Sequence, residues 1–220
     1  PVEILQINEP FGTVRVKLDG REVDIASTRE EVYERKGHLP TITKIGCPLI
    51  DDVKRRDFTI NTLYKSVSTG EIIDFTGGLE DLKNKTIRVL HDESFIDDPT
   101  RIIRALKFAV RFGFKLDKHT KKLQDDYLKN INYDMCYKRI KKELIETFNL
   151  NSQVAFDTFM KDKIYKLVTE KNVALPHTNI ETLVTQYLPP HPPAAPSPAG
   201  GRRENHIWLV YAGVLGDLSR

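Results

Sequence analysis

The sequence has few cysteines and no long apolar run, and both shortages narrow the class of protein. The two cysteines, Cys47 and Cys136, lie far apart and outside any Cys-x-x-Cys pattern, so neither a disulfide framework nor a thiolate zinc site is predicted. No stretch approaches the roughly 18 consecutive apolar residues of a membrane span. The first residues also lack a basic segment followed by an apolar one. We therefore expect a cytoplasmic protein with no membrane partner.

The sequence also lacks the short motifs of several common enzyme classes. It contains no Gly-x-Gly-x-x-Gly, no phosphate loop ending in Gly-Lys-Ser/Thr and no His-Glu-x-x-His. Its six histidines never fall at the spacing of metal ligands. Dehydrogenases with a dinucleotide-binding motif, P-loop enzymes and zinc proteases of the common types are therefore excluded.

The composition is that of an ordinary globular protein. Of the 220 residues, 40% are hydrophobic and 30% are charged. Such a chain can bury a core, and its length suits one large domain or two small ones. Intrinsic disorder of the whole chain and a collagen-like repeat are both disfavoured.

Charge is distributed unevenly along the chain. Residues 95–145 contain thirteen basic and seven acidic residues, whereas residues 1–50 contain seven basic and eight acidic ones. A basic segment beside a nearly neutral one favours a polyanionic partner such as a nucleic acid or nucleotide phosphates. A solvated helical surface would give a similar pattern and stays the alternative.

The front of the chain has the pattern of a β-hairpin. Residues 13–18 alternate apolar and polar side chains, Asp19-Gly20 is a strong two-residue turn signal, and Val23 and Ile25 resume the alternation. This pattern predicts two antiparallel strands with one covered face.

The helical period begins near residue 97. Asp98-Pro99 is a good helix start, Gly113 is a good stop, and the residues between them carry an apolar stripe. We expect a mixed α/β front part joined to a helical back part. The proline-rich residues 189–203 are expected to form a loop or spacer. Further elements are predicted as a strand at 71–74, helices over 118–130, 136–148 and 152–169, and the start of a buried helix at 207–215.

A first polar cluster comprises Arg55, Arg56, Asp57 and Asn61. The planar guanidinium fork suits phosphate oxygens, and Asp and Asn side chains can bind ribose hydroxyls. Taken alone, the cluster is more simply interpreted as a solvated helix start with Asp57 as its cap.

Two further polar pairs lie on predicted helices. Asp98 and Arg101 stand three residues apart on one helical face, where a carboxylate and a guanidinium could read base edges. The simpler alternative is a capping Asp98 that is salt-bridged to Arg101. Arg139 and Glu143 have the i to i+4 spacing of an ordinary surface ion pair.

Five segments, taken in order, resemble those of a known family. They read RRDFTIN, DFTGGLEDL, IRVL, DDPTRIIRALKFAVRFGF and KRIKKEL. In this order and spacing they resemble the class II tRNA nucleotidyltransferases, which are the CCA-adding enzymes and their bacterial poly(A) polymerase relatives. The resemblance runs from about Phe11 to Leu150, and the ordered set is far more specific than any one segment.

The resemblance implies an α+β fold in three units. Residues 1–89 would form part of a polymerase-β-like nucleotidyltransferase head, a mixed sheet with helices. Residues 90–150 would form an all-helical neck that recognises the base. Residues 151–220, which include the proline-rich loop 189–203, would form part of a helical body.

The resemblance also implies roles for individual residues. The family's RRD-type motif binds the incoming nucleotide, the motif at the start of the neck helix reads its base in place of a template, and the last motif supports that helix. Asp97 stands where the family usually has Glu. The nucleotide-binding residues carried over are Arg55, Arg56, Asp57, Asn61, Asp98, Arg101 and Arg104. The supporting residues are Arg139 and Glu143, and the hinge residues are Gly77 and Gly78.

One departure from the family concerns the catalytic metal. The family's chemistry uses a Gly-Gly-x-Val-Arg-Asp segment followed by Asp-x-Asp, whose carboxylates hold Mg²⁺, and this sequence contains neither. Asp24 falls where the family has a further carboxylate on the adjacent strand, so it is the catalytic and metal-ligand candidate. We expect an amino-terminally truncated enzyme that, as printed, transfers no nucleotide.

The function implied by the resemblance is template-independent addition of C and/or A nucleotides to the 3′ end of tRNA from CTP and ATP. A poly(A) polymerase of the same fold is the nearest alternative. A non-catalytic helical RNA-binding module and a defective remnant with a stable fold are also left open. The sequence predicts no oligomeric state.

Overall fold

A computed structural model of the chain describes residues 2–150 and 152–168. Strands and short helices occupy the first half of this part, and longer helices occupy the second. The first half contains β1 (Val2–Asn8), β2 (Thr13–Leu18), β3 (Arg21–Ala26), β4 (Arg29–Val32), β5 (Thr41–Ile45), α1 (Leu49–Lys54), β6 (Tyr64–Lys65), β7 (Ile72–Ile73), α2 (Gly78–Lys83) and β8 (Thr86–Ile87). The second contains α3 (Ser94–Asp97), α4 (Thr100–Phe112), β9 (Lys115–Leu116), α5 (Lys118–Tyr127), α6 (Tyr137–Phe148) and α7 (Ser152–Lys161).

The predicted hairpin is confirmed as β2 and β3, which pair antiparallel with Val16 opposite Val23. Both turn residues, Asp19 and Gly20, have positive φ, 49° and 81°. Two successive left-handed residues match the turn type that continues the twist of the flanking strands. Strand β1 adds to the other edge of β2, which gives a three-stranded antiparallel sheet in the order β1-β2-β3.

The remaining strands form three two-stranded ladders. β4 pairs with β5 and β6 with β7, both antiparallel, whereas β8 and β9 pair in parallel. The strand predicted at 71–74 is therefore confirmed as the short β7. Strands and helices are mixed in the first half and helices dominate the second, so the predicted α+β class is confirmed.

The first long helix, α4, lies almost where the sequence predicts it. It begins at Thr100, directly after Asp98-Pro99, and ends at Phe112, where Gly113 with a φ of 68° provides the left-handed C-cap. α5 is three residues shorter than predicted, and α6 begins one residue later.

The prediction of one helix over 152–169 is wrong. α7 ends at Lys161, Lys163 adopts a positive φ of 59°, and a 3₁₀ turn follows at Ile164–Leu167. A left-handed residue cannot continue a right-handed helix, so the chain turns there. The predictions for 189–203 and 207–215 lie outside the described residues.

The hydrophobic core joins the two halves of the described chain. Ile102 and Ile103 of α4 are fully buried, and the stripe predicted for this helix faces the core. From the first half the core includes Phe58 and Ile87, which lie on the other side of the predicted 89/90 boundary. Because one core crosses this boundary, it does not test the division of the chain into three units, and that division stays a prediction. Within the described residues, no helix is long and apolar enough to cross a membrane.

Candidate functional site

Arg55 and Arg56, called here the arginine doublet, follow α1 and are held by a carboxylate from that helix. Asp52 is fully buried. Its Oδ1 accepts from Arg55 Nε and Nη2 at 2.9 and 2.7 Å, and its Oδ2 accepts from Arg56 Nε and Nη2 at 3.1 and 2.8 Å. Burial disfavours the charged form of Asp52, but the charges of Arg56 and Arg55 outweigh it and hold the pKa of Asp52 below its ordinary value. No motif in the sequence singled out Asp52, although it precedes the two arginines at helical spacings of three and four.

The two guanidinium groups have further contacts on their other sides. Arg56 lies over the ring of Tyr64, 5.3 Å from its centroid, and Nη1 donates to the carbonyl oxygen of Asn61 at 3.3 Å. Arg55 Nη1 lies 3.5 Å from a carboxylate oxygen of Glu31. Each arginine is therefore fixed in one orientation rather than free in solvent.

Asp57 links the segment that carries the arginine doublet to α4. Its side chain is 9% exposed. Oδ1 accepts from the Phe58 N–H at 2.9 Å and from Asn61 Nδ2 at 2.8 Å, and Oδ2 accepts from Arg104 Nε at 2.7 Å. Burial disfavours the ionised carboxyl, but Arg104 and the hydrogen bond from Asn61 lower the pKa of Asp57. Asp57 is thus engaged by the protein itself and joins this segment to α4.

Arg104 and Glu143 extend this link to α6. Arg104 Nη1 lies 3.4 Å from Glu143 Oε1, and Lys107 Nζ donates to Glu143 Oε2 at 2.5 Å. The charge of Asp57 raises the pKa of Arg104, against the effect of burial. A continuous chain of charged groups, Asp57, Arg104 and Glu143, therefore joins the segment after α1 to α4 and α6.

Asp98 and Arg101 do not form the salt bridge that their spacing suggested. Asp98 Oδ1 accepts from the Thr100 N–H at 3.1 Å and from its hydroxyl at 2.6 Å, so Asp98 caps the start of α4 as the sequence predicts. Its charged partner is Arg139 of α6, whose Nη2 donates to Asp98 Oδ2. The tertiary partner Arg139 thus replaces Arg101, the partner that the i to i+3 spacing suggested.

Arg101 points toward the arginine doublet and is only 3% exposed. Nη1 donates to Ser94 Oγ at 2.7 Å, and Nη2 donates to the carbonyl oxygen of Arg55 at 3.0 Å. Tyr33 lies against the same guanidinium, with its ring centroid 5.7 Å away. Its hydroxyl lies 3.5 Å from Asp98 Oδ2. The structure therefore brings the predicted base-reading pair and the arginine doublet into one cluster, to which Tyr33 and Ser94 are additions that no sequence motif indicated.

Arg139 and Glu143 lie one turn apart on α6 and contact different partners. Arg139 pairs with Asp98 at the start of α4, and Glu143 pairs with Arg104 and Lys107 along the same helix. These contacts hold α6 against α4, in place of the local surface ion pair that the spacing allowed.

The glycine-bearing segment forms a tightly bonded helix start. The carboxylate of Asp74 accepts from the backbone N–H groups of Thr76, Gly77, Gly78 and Leu79 at 2.9 to 3.0 Å. Gly77 has a φ of 79°, and a Cβ on Gly78 would lie 2.3 Å from the carbonyl oxygen of Thr59. The close approach to Thr59 thus requires glycine at position 78, and the left-handed backbone favours it at position 77. Their predicted role as a hinge stays a prediction.

Asp24 lies on β3, opposite Arg15 of β2. Both of its carboxylate oxygens accept from the Arg15 guanidinium, at 2.6 and 3.1 Å. Across residues 2–150 and 152–168, no group of three or more His, Cys, Asp or Glu side chains is placed to hold a metal ion. The described residues do not form a metal site by themselves, and the roles of Asp24 in metal binding and catalysis stay predictions.

Comparison with known proteins shows which proteins the chain is similar to. Residues 2–88 match the poly A polymerase head domain. The A-adding tRNA nucleotidyltransferase of Geobacter sulfurreducens is 50% identical over 117 residues, which are 51% of this chain and 13% of that relative. The chain spans well under two thirds of the length of the curated relatives that it matches.

Solved structures agree with these matches over a longer part of the chain. The structure of a CCA-adding enzyme in an apo form superposes with a TM-score of 0.71 and 29% identity over 85% of this chain and 47% of that one. A tRNA nucleotidyltransferase complexed with a primer tRNA and an incoming ATP analogue gives a TM-score of 0.65 and 31% identity over 84% of this chain and 52% of that one. The chain is therefore similar, in sequence over residues 2–88 and in fold over most of its length, to the class II tRNA nucleotidyltransferases that its ordered motifs resemble.

Proposed function

We propose that this chain is part of an enzyme that adds nucleotides to the 3′ end of tRNA without a nucleic-acid template, using ATP and CTP as donors. The observation that carries the proposal is the single cluster formed by Arg55, Arg56, Asp98 and Arg101, in which Arg101 Nη2 donates to the Arg55 carbonyl oxygen at 3.0 Å. This cluster combines groups suited to phosphate with groups suited to a base edge.

The chemistry of Asp98 and Arg101 favours adenine and cytosine. Both bases carry an exocyclic amine that donates to a carboxylate, whereas guanine and uracil present a carbonyl oxygen at the equivalent position. A carboxylate facing such a carbonyl would oppose a second acceptor with no proton between them, which is unfavourable in a site shielded from water. Asp98 is only 4% exposed.

The other residues of the cluster are assigned by their contacts. Arg55 and Arg56 are proposed to bind the phosphates or ribose of the nucleotide. Asn61, Asp57 and Arg104 are proposed to bind the nucleotide as one unit, since Asp57 accepts hydrogen bonds from the side chains of both other residues. Arg139 and Glu143 are proposed to fix the base-reading helix α4 against α6.

Addition of A is the favoured form of the reaction. Three relatives with 50%, 48% and 41% identity are named A-adding tRNA nucleotidyltransferases, whereas relatives named CCA-adding enzymes match at 40% and 32%. Addition of CC or CCA, and poly(A) synthesis, are the alternatives. Mg²⁺ is proposed as the metal cofactor of the transfer, with Asp24 as the candidate ligand on this chain, and the cytoplasm as its compartment.

The test is nucleotide binding to the full chain, measured by calorimetry with ATP, CTP, GTP and UTP, each with and without Mg²⁺. We expect ATP and CTP to bind more tightly than GTP and UTP. Asp98→Asn keeps the shape and the capping oxygen but presents an amide donor, so the preference should fall or reverse. Asp126→Asn, at an exposed position on α5, is the matched control. An unchanged preference in Asp98→Asn would return Asp98 to the role of a helix cap.

A further inference from the structure

We propose that Asp52 is a positioning residue that fixes the guanidinium groups of Arg55 and Arg56 in the orientation in which they meet the nucleotide. The inference deepens the proposed function and rests on it for the identity of the ligand. The arrangement of the two arginines around Asp52 can be tested without any ligand.

The contacts of Asp52 leave its carboxylate saturated. Oδ1 accepts from the Arg29 backbone N–H at 3.0 Å as well as from Arg55, and Oδ2 accepts from the Tyr64 hydroxyl at 2.9 Å as well as from Arg56. An ionised carboxylate offers about four lone-pair sites, and six donor atoms approach this one. Asp52 therefore has no acceptor capacity for a ligand and acts through the side chains that it holds.

The two arginines use different oxygens of Asp52. Arg55 approaches Oδ1 and Arg56 approaches Oδ2, each through Nε and Nη2. This arrangement sets the plane and direction of two long side chains with one buried group. An arginine that is free in solvent loses much rotamer freedom when it binds phosphate, and one that is already oriented does not. The expected benefit is tighter and more selective binding of a nucleotide.

A purely electrostatic role of Asp52 makes the opposite prediction. Asp52 brings one negative charge to a cluster that also contains Arg29, Arg55, Arg56 and Glu31. If charge alone mattered, removing it would raise the positive potential and strengthen the binding of any polyphosphate. If Asp52 orients the arginines, its removal weakens nucleotide binding despite that added attraction. The sign of the change therefore separates the two roles.

The first experiment compares Asp52→Asn with Asp51→Asn in the full chain. Asp51 is the neighbouring residue of the same helix, and its contact is with Lys54 rather than with the doublet. Binding of ATP and of inorganic tripolyphosphate is measured by calorimetry at low and at moderate salt. For Asp52→Asn we expect ATP binding about tenfold weaker, a change of ~1.4 kcal/mol, and tripolyphosphate binding weaker as well, because the same oriented guanidinium groups meet the phosphates of both ligands. Asp51→Asn should bind both ligands like the wild type. ATP binding that stays within twofold of the wild type, or tightens, in Asp52→Asn overturns the inference.

A second measurement uses the wild-type chain and does not depend on a variant that folds. The Nε–H protons of Arg55 and Arg56 should exchange slowly with water in NMR spectra, whereas that of the exposed Arg21 should exchange fast. The signals are assigned by through-bond correlations from the backbone of the wild-type chain. Fast exchange at both arginines refutes the arrangement around Asp52. If the wild type binds no nucleoside triphosphate at all, the proposed function fails, and the exchange rates alone decide whether Asp52 holds the doublet.

Discussion

Replacing Arg104 with methionine removes the charged partner of a buried carboxylate and keeps most of the side-chain stem. Asp57 is 9% exposed and Arg104 is 32% exposed, and the Asp57 Oδ2 to Arg104 Nε distance is 2.7 Å. Breaking a buried ion pair by removing one partner costs about 3–5 kcal/mol. Because Arg104 is partly solvated, we expect the lower end, about 3 kcal/mol. For a chain of this size, that loss lowers the melting temperature by roughly 6–12 °C.

The pH dependence of the stability difference provides a second, independent test of this prediction. In the wild type the folded pKa of Asp57 is lowered, so its contribution is present above its unfolded pKa of about 3.9 and is lost as the pH falls through the folded value. Without Arg104, burial dominates and raises the pKa of Asp57 in the folded state. The variant then becomes more stable relative to the wild type as the pH falls, because Asp57 binds a proton more readily in the folded variant than in the unfolded one. The gap between wild type and variant should narrow between about pH 6 and pH 4.

The assay is urea unfolding followed by circular dichroism at pH 7, 5 and 4. Arg111→Met is the matched control, since Arg111 lies exposed in the last turn of the same helix and should cost within about 0.5 kcal/mol. Adding Asp57→Asn to Arg104→Met should recover much of the loss at pH 7, because the unpaired charge is gone. Equal losses for the two arginine variants, or a gap that does not change with pH, would refute the reasoning.

Two further predictions concern the helix start at α2. Gly78→Ala places a Cβ 2.3 Å from the Thr59 carbonyl oxygen, so urea unfolding should show a loss of about 2–3 kcal/mol. Gly113→Ala meets no atom within 4 Å and has only its φ of 68° to overcome, which costs about 1–2 kcal/mol. Similar losses in both would argue against a steric role for Gly78. Asp74→Ala removes the acceptor of four backbone N–H groups and should cost about 1–2 kcal/mol at pH 7. Burial opposes ionisation, but these bonds lower the pKa of Asp74, so its stabilising effect should fade as the pH drops below its ordinary range. A difference that is the same at pH 7 and pH 3.5 would contradict this account.

Much of the local structure follows from the sequence pattern. Alternation around Asp19-Gly20 predicts the β2–β3 hairpin, and the apolar stripe that ends at Gly113 predicts α4. These signals are reliable because strand and helix periods are fixed by backbone geometry and act over a few residues. The break at Lys163 was missed, because lysine gives no local sign of the left-handed conformation that it adopts there.

The sequence also determined which residues to consider as the site, through the order and spacing of its motifs. It did not determine their partners. Asp98 pairs with Arg139, 41 residues away, and Asp57 pairs with Arg104, 47 residues away. Asp52 had a helical spacing to both arginines of the doublet, but nothing local distinguished it from its half-buried neighbour Asp51. Tertiary packing made these choices, because burial is what makes an unpaired charge costly, and burial is decided only when distant elements meet.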